Sequence, residues 1–166
     1  KPFQATTLEW EQGIRFHLRT WQNSKHLGLF PEQEPHWRWI HSRVRPGMRV
    51  ANLFAYTGAA SLVAARQGAK VTHVDASDPA VKTARKNARL SGLEQAPVRW
   101  IVEDVVTYLR REERRGSRYD AILLDPPSFG RGPKGQLWKI EAITELLDQC
   151  RRVLSERPAF VLLTMY

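Results

Sequence analysis

From Met48 onward, short apolar runs alternate with stretches of helical period, and this alternation restricts the chain to an α/β fold built on a mostly parallel sheet. Five strands are predicted, at 49–54, 69–74, 98–102, 119–124 and 159–164. The turn residues Pro46 and Gly47 set up the first. A helix follows from about Ala59, with Gly68 placed to end it. In the next helix Asp78 reads as the N-cap, Pro79 suits the first helical position and Gly92 suits the stop. Asp104 can cap a further helix that runs to about Arg114. The last helix is long and amphipathic, since Ile140, Ile143, Leu146, Leu147, Cys150, Val153 and Leu154 recur at steps of three and one.

Before residue 46 the pattern changes. Between 5 and 20, Leu8, Trp10, Ile14, Phe16 and Leu18 fall on a period of two around Glu11-Gln12-Gly13, which predicts a β-hairpin. Residues 21–34 are irregular, and 36–44 suit a short helix packing Trp37 and Ile40. The expected division is an N-terminal hairpin and covering segment over 1–45, then an α/β core over 46–166.

A chain of 166 residues is one domain's worth and can bury a real core. No run approaches ~18 consecutive apolar residues, so no membrane helix is expected. No signal-peptide pattern stands at the start, which opens on Lys1. The single cysteine, Cys150, excludes an internal disulfide, and no Cys/His cluster offers a metal site. A reducing, cytoplasmic setting is expected. The net charge of +9 and pI of 10.2 point to a polyanionic partner, most simply nucleic acid. The alternative is an Arg-rich soluble surface. The densest basic segment, 110–118, also holds Glu112 and Glu113 and reads as a solvated helix end rather than a phosphate groove.

In an open parallel sheet, ligands bind beyond the carboxyl ends of the strands. Five groups stand there: 52–58, Asp75-Ala76-Ser77, Glu103-Asp104, 125–129 and 164–166. The first turn contains one glycine, Gly58, where a dinucleotide fingerprint has three. Pyrophosphate demands very close backbone approach, so a single glycine suits a ligand without phosphates. Asp75 can accept both hydroxyls of a ribose. Asp104 can accept an adenine amino group, or it can simply cap its helix. Together these describe an adenosine that carries a cation or an amino acid in place of phosphates.

The stretches Asn52-Leu-Phe-Ala-Tyr-Thr-Gly-Ala59, Val74-Asp75-Ala-Ser77, Glu103-Asp104 and Leu124-Asp-Pro-Pro-Ser-Phe129 resemble those of the class I S-adenosylmethionine-dependent methyltransferases. The chain is most similar to the branch that includes 23S ribosomal RNA methyltransferases acting on guanine or cytosine. Lys25-His-Leu-Gly-Leu-Phe-Pro-Glu-Gln33 resembles the Lys-Thr-Gly-Phe/Tyr-Leu-Asp-Gln segment before the core in that branch. The resemblance covers about residues 25–166. It implies a Rossmann-like three-layer αβα sandwich, S-adenosylmethionine as methyl donor, and ribosomal RNA as partner. It places Asp75, with Ala76 and Ser77, on the ribose, Asp104 near the adenine, and Asn52, Phe54, Tyr56, Thr57 and Gly58 near the methionine. Phe30 and Gln33 would close over the cofactor. Two further strands would follow the fifth, so the chain reads as a fragment of a longer protein or an unusually trimmed one.

Asp125, Pro126, Pro127, Ser128 and Phe129 then form the candidate catalytic corner, with Asp125 also beside the cofactor. Methyl transfer from a sulfonium chiefly requires that the acceptor be positioned and water removed. The prolines fix φ near −65° and offer carbonyls with no competing N–H. Phe129 can stack on a base drawn out of its helix. Taken alone, the same residues read as a strand-ending turn. The following segment, 130–135, with Arg131, Lys134 and then Trp138, reads as a mobile substrate loop or as a solvated connection.

Two departures bear on the acceptor. Carbon-5 pyrimidine methylases of the branch carry a Ser-Cys-Ser-like nucleophile just after the fifth strand, where this chain has Leu163-Thr-Met-Tyr166. Cys150 lies on an apolar helix face and reads as core. A nitrogen acceptor is therefore favoured. Ser128 stands where exocyclic-amine methylases place an aromatic, which leaves the target atom open. A protein or small-molecule acceptor, or a non-catalytic RNA-binding role, are the alternatives, while the lone Gly58 disfavours a dehydrogenase.

Overall fold

The computed structural model describes residues 6–18 and 27–165. The outer residues of the predicted hairpin, most of the irregular segment including Lys25 and His26, and Tyr166 lie outside them.

The hairpin comprises β1 (Thr6–Trp10) and β2 (Ile14–Leu18), joined by a 3-10 turn, with Trp10 opposite Ile14. Ile14, Phe16 and Leu18 are buried as their period predicts, but Leu8 is exposed. A second 3-10 turn (Pro31–Gln33) leads into α1 (Glu34–Arg43), which buries Trp37 and Ile40. The core then alternates: β3 (Arg49–Leu53), α2 (Ala59–Arg66), β4 (Lys70–Asp75), α3 (Asp78–Leu90), β5 (Val98–Val102), α4 (Val105–Arg114) and β6 (Ala121–Leu124). After β7 (Phe129–Arg131) and β8 (Leu137–Lys139) come α5 (Ile143–Val153) and β9 (Phe160–Leu163).

Five strands make one parallel sheet in the order β5-β4-β3-β6-β9. The central strands are buried on both faces because helices cover both. On one face Val50, Val71 and Leu123 pack with the hairpin, α1, α2 and the end of α3. On the other, Ala51, Leu53, Val74, Ile122 and Leu124 pack with α4 and α5. This three-layer arrangement is the predicted sandwich. The chain reverses direction between β3 and β6, and that switch point opens a crevice at the carboxyl ends.

Four details differ from the sequence reading. Ser77, not Asp78, caps α3, since its Oγ accepts from Ala80 N, while Asp78 pairs with Lys82. The fourth core strand starts at Ala121, and Tyr119 makes only an isolated bridge to Leu154. Ile140 lies in a 3-10 turn before α5, Leu147 is exposed and Leu154 falls beyond the helix. The segment after the corner is no open loop. Its flanks pair as the antiparallel hairpin β7–β8, with Gly130 opposite Trp138.

Candidate active site

The strand ends surround a cavity of about 690 Å³, within the usual range for a small-molecule site. Asp75, Ala76, Ser77 and Asp104 line one side. Asp125, Pro126, Pro127 and Ser128 line the other. Phe30, Phe54 and Tyr56 also reach it, as do Gly130, Arg131, Gly132 and Trp138 of the small hairpin. A tighter inner cleft of about 70 Å³ continues behind Phe54 and Asp125, where Gln33, Asn52, Thr57 and Gly58 contribute. Phe129 is 54% exposed and lines neither space, and Lys134 sits in the turn between β7 and β8. The segment sequences, read separately, thus converge on one crevice.

Asp75 joins two turns. Its Oδ2 accepts from Tyr56 N at 2.7 Å and its Oδ1 accepts from Ser77 N at 2.8 Å. Burial pushes its carboxyl pKa upward, while these two N–H donors pull it down. Each oxygen keeps capacity for a further hydrogen bond, and the residue lines the cavity. The turn it braces is strained, because Phe54 (φ 57°) and Tyr56 (φ 48°) both adopt the left-handed region that bulky residues avoid. Two ring contacts hold them there. Phe54 lies 5.3 Å from Trp138 and Tyr56 lies 5.3 Å from Phe30, centroid to centroid.

Asp104 takes the capping role that its sequence allowed: its Oδ1 accepts from Thr107 N at 2.8 Å. It also lines the cavity, so the cap and the ligand-facing position coincide. Gly132 closes over it, since a Cβ there would stand 3.0 Å from Asp104 Cβ. Neighbouring Glu103 instead pairs with Arg111.

At the corner the carbonyls are unequal. Trp138 Nε1 donates to Pro127 O at 2.7 Å, and Ile140 N donates to Ser128 O at 3.1 Å. Among the described residues no donor reaches Pro126 O, which leaves it as an open acceptor. Trp138, expected on a substrate loop, is only 5% exposed and braces this corner. The Asp125 carboxylate receives Gln33 Nε2 at 3.1 Å and the Thr164 hydroxyl. Cys150 lines neither space and is buried in the core with α4, where burial raises its thiol to about 12. Among the described residues no group of three or more His, Cys, Asp or Glu could hold a metal. No helix there is long and apolar enough to cross a membrane.

The sequence reading named Asn52 but missed the buried polar pair behind it, Ser61 and His73. Asn52 Nδ2 donates to Ser61 Oγ at 2.8 Å, and Ser61 Oγ lies 3.0 Å from His73 Nδ1. A histidine within an apolar central strand was the available signal. Burial lowers its pKa from 6.5 to about 3. Between those values the unfolded chain binds a proton that the folded ring refuses, so stability is complete above about pH 6.5 and falls as pH drops toward 3. The expected loss from this ring at pH 5 is about 2 kcal/mol. Urea unfolding of the parent and His73→Asn at pH 7.5 and 5 measures it: the variant should show the flatter pH dependence, and equal slopes would refute the assignment.

Comparison with known proteins agrees with this geometry. The family described as S-adenosylmethionine-dependent methyltransferase matches residues 2–159. A ribosomal RNA large subunit methyltransferase I from Photobacterium profundum is 41% identical over 91% of this chain, and a ribosomal RNA large subunit methyltransferase from Deinococcus radiodurans is 36% identical over 83%. The chain spans only about a third of their lengths, 35% and 34%. The crystal structure of a SAM-dependent methyltransferase from Agrobacterium tumefaciens superimposes with a TM-score of 0.93 at 45% identity, covering 100% of this chain and 55% of its own. A methyltransferase crystallised with SAH superimposes with a TM-score of 0.82 at 28% identity, over 94% of this chain and 40% of its own. A chain with this crevice and a family match across nearly its whole length belongs to the S-adenosylmethionine-dependent methyltransferases.

Proposed function

We propose that the protein containing this chain transfers a methyl group from S-adenosylmethionine to a base of ribosomal RNA, at a nitrogen. The observation that carries the reading is the single cavity with Asp75 and Asp104 on one wall and the Asp125–Ser128 corner on the other. Asp75 would hold the ribose hydroxyls and Asp104 the adenine edge. Ala76 and Ser77 would flank the ribose, and Phe30, Phe54 and Tyr56 would close over the nucleoside. The inner cleft beside Asn52, Thr57 and Gly58 would take the amino-acid end, with the Gln33 amide turned to Asp125 and His36 rather than to the cofactor. When bound, the cofactor supplies a methyl group already activated on a sulfonium. The protein's share is to orient the acceptor and exclude water. Pro126 O can accept an N–H of the target base, while Trp138 holds the adjoining carbonyl out of play.

The RNA assignment rests on the net charge of +9 and on the relatives, which are named as ribosomal RNA large subunit methyltransferases. Exposed Phe129 and Arg131, at the rim, suit an unstacked base and its phosphate. The nitrogen assignment rests on the missing nucleophile: Met165 follows β9, and Cys150 is buried in the core and lines neither space. Labelled-methyl transfer to intact ribosomal subunits, with label then partitioned between protein and RNA and the RNA taken to nucleosides, tests this. The expected product is an N-methylated nucleoside. Label in protein alone, or in a 5-methylpyrimidine, would contradict the respective part.

A further inference from the structure

The Asp125 carboxylate stands at the junction of the cavity and the inner cleft, and both of its oxygens are engaged. Thr164, just beyond β9, donates its hydroxyl to Oδ1. Gln33, from the turn before α1, donates Nε2–H to Oδ2 at 3.1 Å. An ionised carboxylate only accepts hydrogen bonds, so Gln33 must present its NH2 group and turn Oε1 away. That Oε1 lies 2.7 Å from His36 Nδ1. An amide oxygen also only accepts, so the ring proton belongs on Nδ1 of His36. Gln33 is 9% exposed and Thr164 7%, so water competes little for these bonds.

We propose that His36, Gln33 and Thr164 are positioning residues that clamp the Asp125 carboxylate in one orientation beside Pro126. The proposal rests on the methyl-transfer reading and names three residues through which the acceptor wall is fixed. An aspartate χ2 is a broad torsion, so an unclamped carboxylate would rotate and its neighbour's carbonyl would lose a fixed companion. Displacement of about 1 Å at a reacting centre can cost about a hundredfold in rate. The clamp draws its parts from α1, β6 and β9, so it also ties the N-terminal segment to the sheet. The side-chain amide of Gln33 is committed to His36 and Asp125, which leaves one N–H for anything else.

Two measurements on the whole chain test the clamp. In 15N spectra, His36 of the parent should show the Nδ1–H tautomer, and Gln33→Ala should revert it to Nε2–H. In methyl transfer, Gln33→Ala and Thr164→Val should lower kcat about tenfold or more. Their Kd for S-adenosylhomocysteine should stay within about threefold of the parent's, and Thr164→Ser should restore kcat. A parent Nε2–H tautomer would overturn the clamp. So would an unchanged kcat with a raised Kd, which would make Gln33 a cofactor contact. Should the parent transfer no methyl to RNA, the functional reading falls, and the tautomer alone decides whether the clamp exists.

Discussion

Replacing Asp75 with alanine should raise the Kd for S-adenosylhomocysteine at least about 100-fold, equivalent to about 2.7 kcal/mol. Two effects combine. The variant removes the proposed acceptor of two ribose hydroxyls, and hydrogen bonds to a charged group contribute about 1.5–3 kcal/mol each. It also releases Tyr56 N and Ser77 N, which the carboxylate holds at 2.7 and 2.8 Å, so the strained turn after β3 loses its tether. The raised carboxyl pKa offsets part of the loss, because a carboxylate partly desolvated by the protein costs something to keep charged. Calorimetric titration of parent and variant, with circular dichroism to verify folding, gives the answer. A Kd within threefold of the parent would remove Asp75 from the cofactor site.

Gly58→Ala should destabilise the fold by about 2–5 kcal/mol, a large share of the about 5–15 kcal/mol available to a domain. Gly58 has φ 92°, where a side chain costs about 1–2 kcal/mol. An added Cβ would also meet Ala84 Cβ at 2.9 Å, and overpacking costs about 1–3 kcal/mol. The two parts separate experimentally. Gly58→Ala combined with Ala84→Gly should recover the packing part of the urea midpoint beyond the intrinsic penalty of a helical glycine, and leave the backbone part. A single variant as stable as the parent would contradict the account.

Gly58 also illustrates what the sequence made legible. Its spacing marked a turn between strand and helix, and the turn is there. Its reason is packing as much as ligand approach, because α3 lies against it, and Ala84 is 26 positions away. Local alternation of short apolar segments with helical patterns revealed every strand of the main sheet, most plainly β6, whose four residues are all buried and apolar. The choice of cap was beyond it: Ser77 and Asp78 are both good caps, and the end of β4 selects the first. The hairpin β7–β8 was equally hidden. Its strands are three residues long, with Gly130 and Arg131 in one, too short for a period to emerge. That Asp75 and the Asp125 corner line one cavity could be expected from their places at strand ends. His36 and Thr164 could not, because their relation to Asp125 exists only once α1 and β9 are packed against β6.

A crystal structure with S-adenosylhomocysteine bound tests the central claim most directly. The ribose hydroxyls should lie within hydrogen-bonding distance of Asp75, the adenine should face Asp104 under Gly132, and the sulfur should point toward Pro126. Nucleoside found outside this cavity, or bound with its sulfur directed away from the Asp125 corner, would contradict the account.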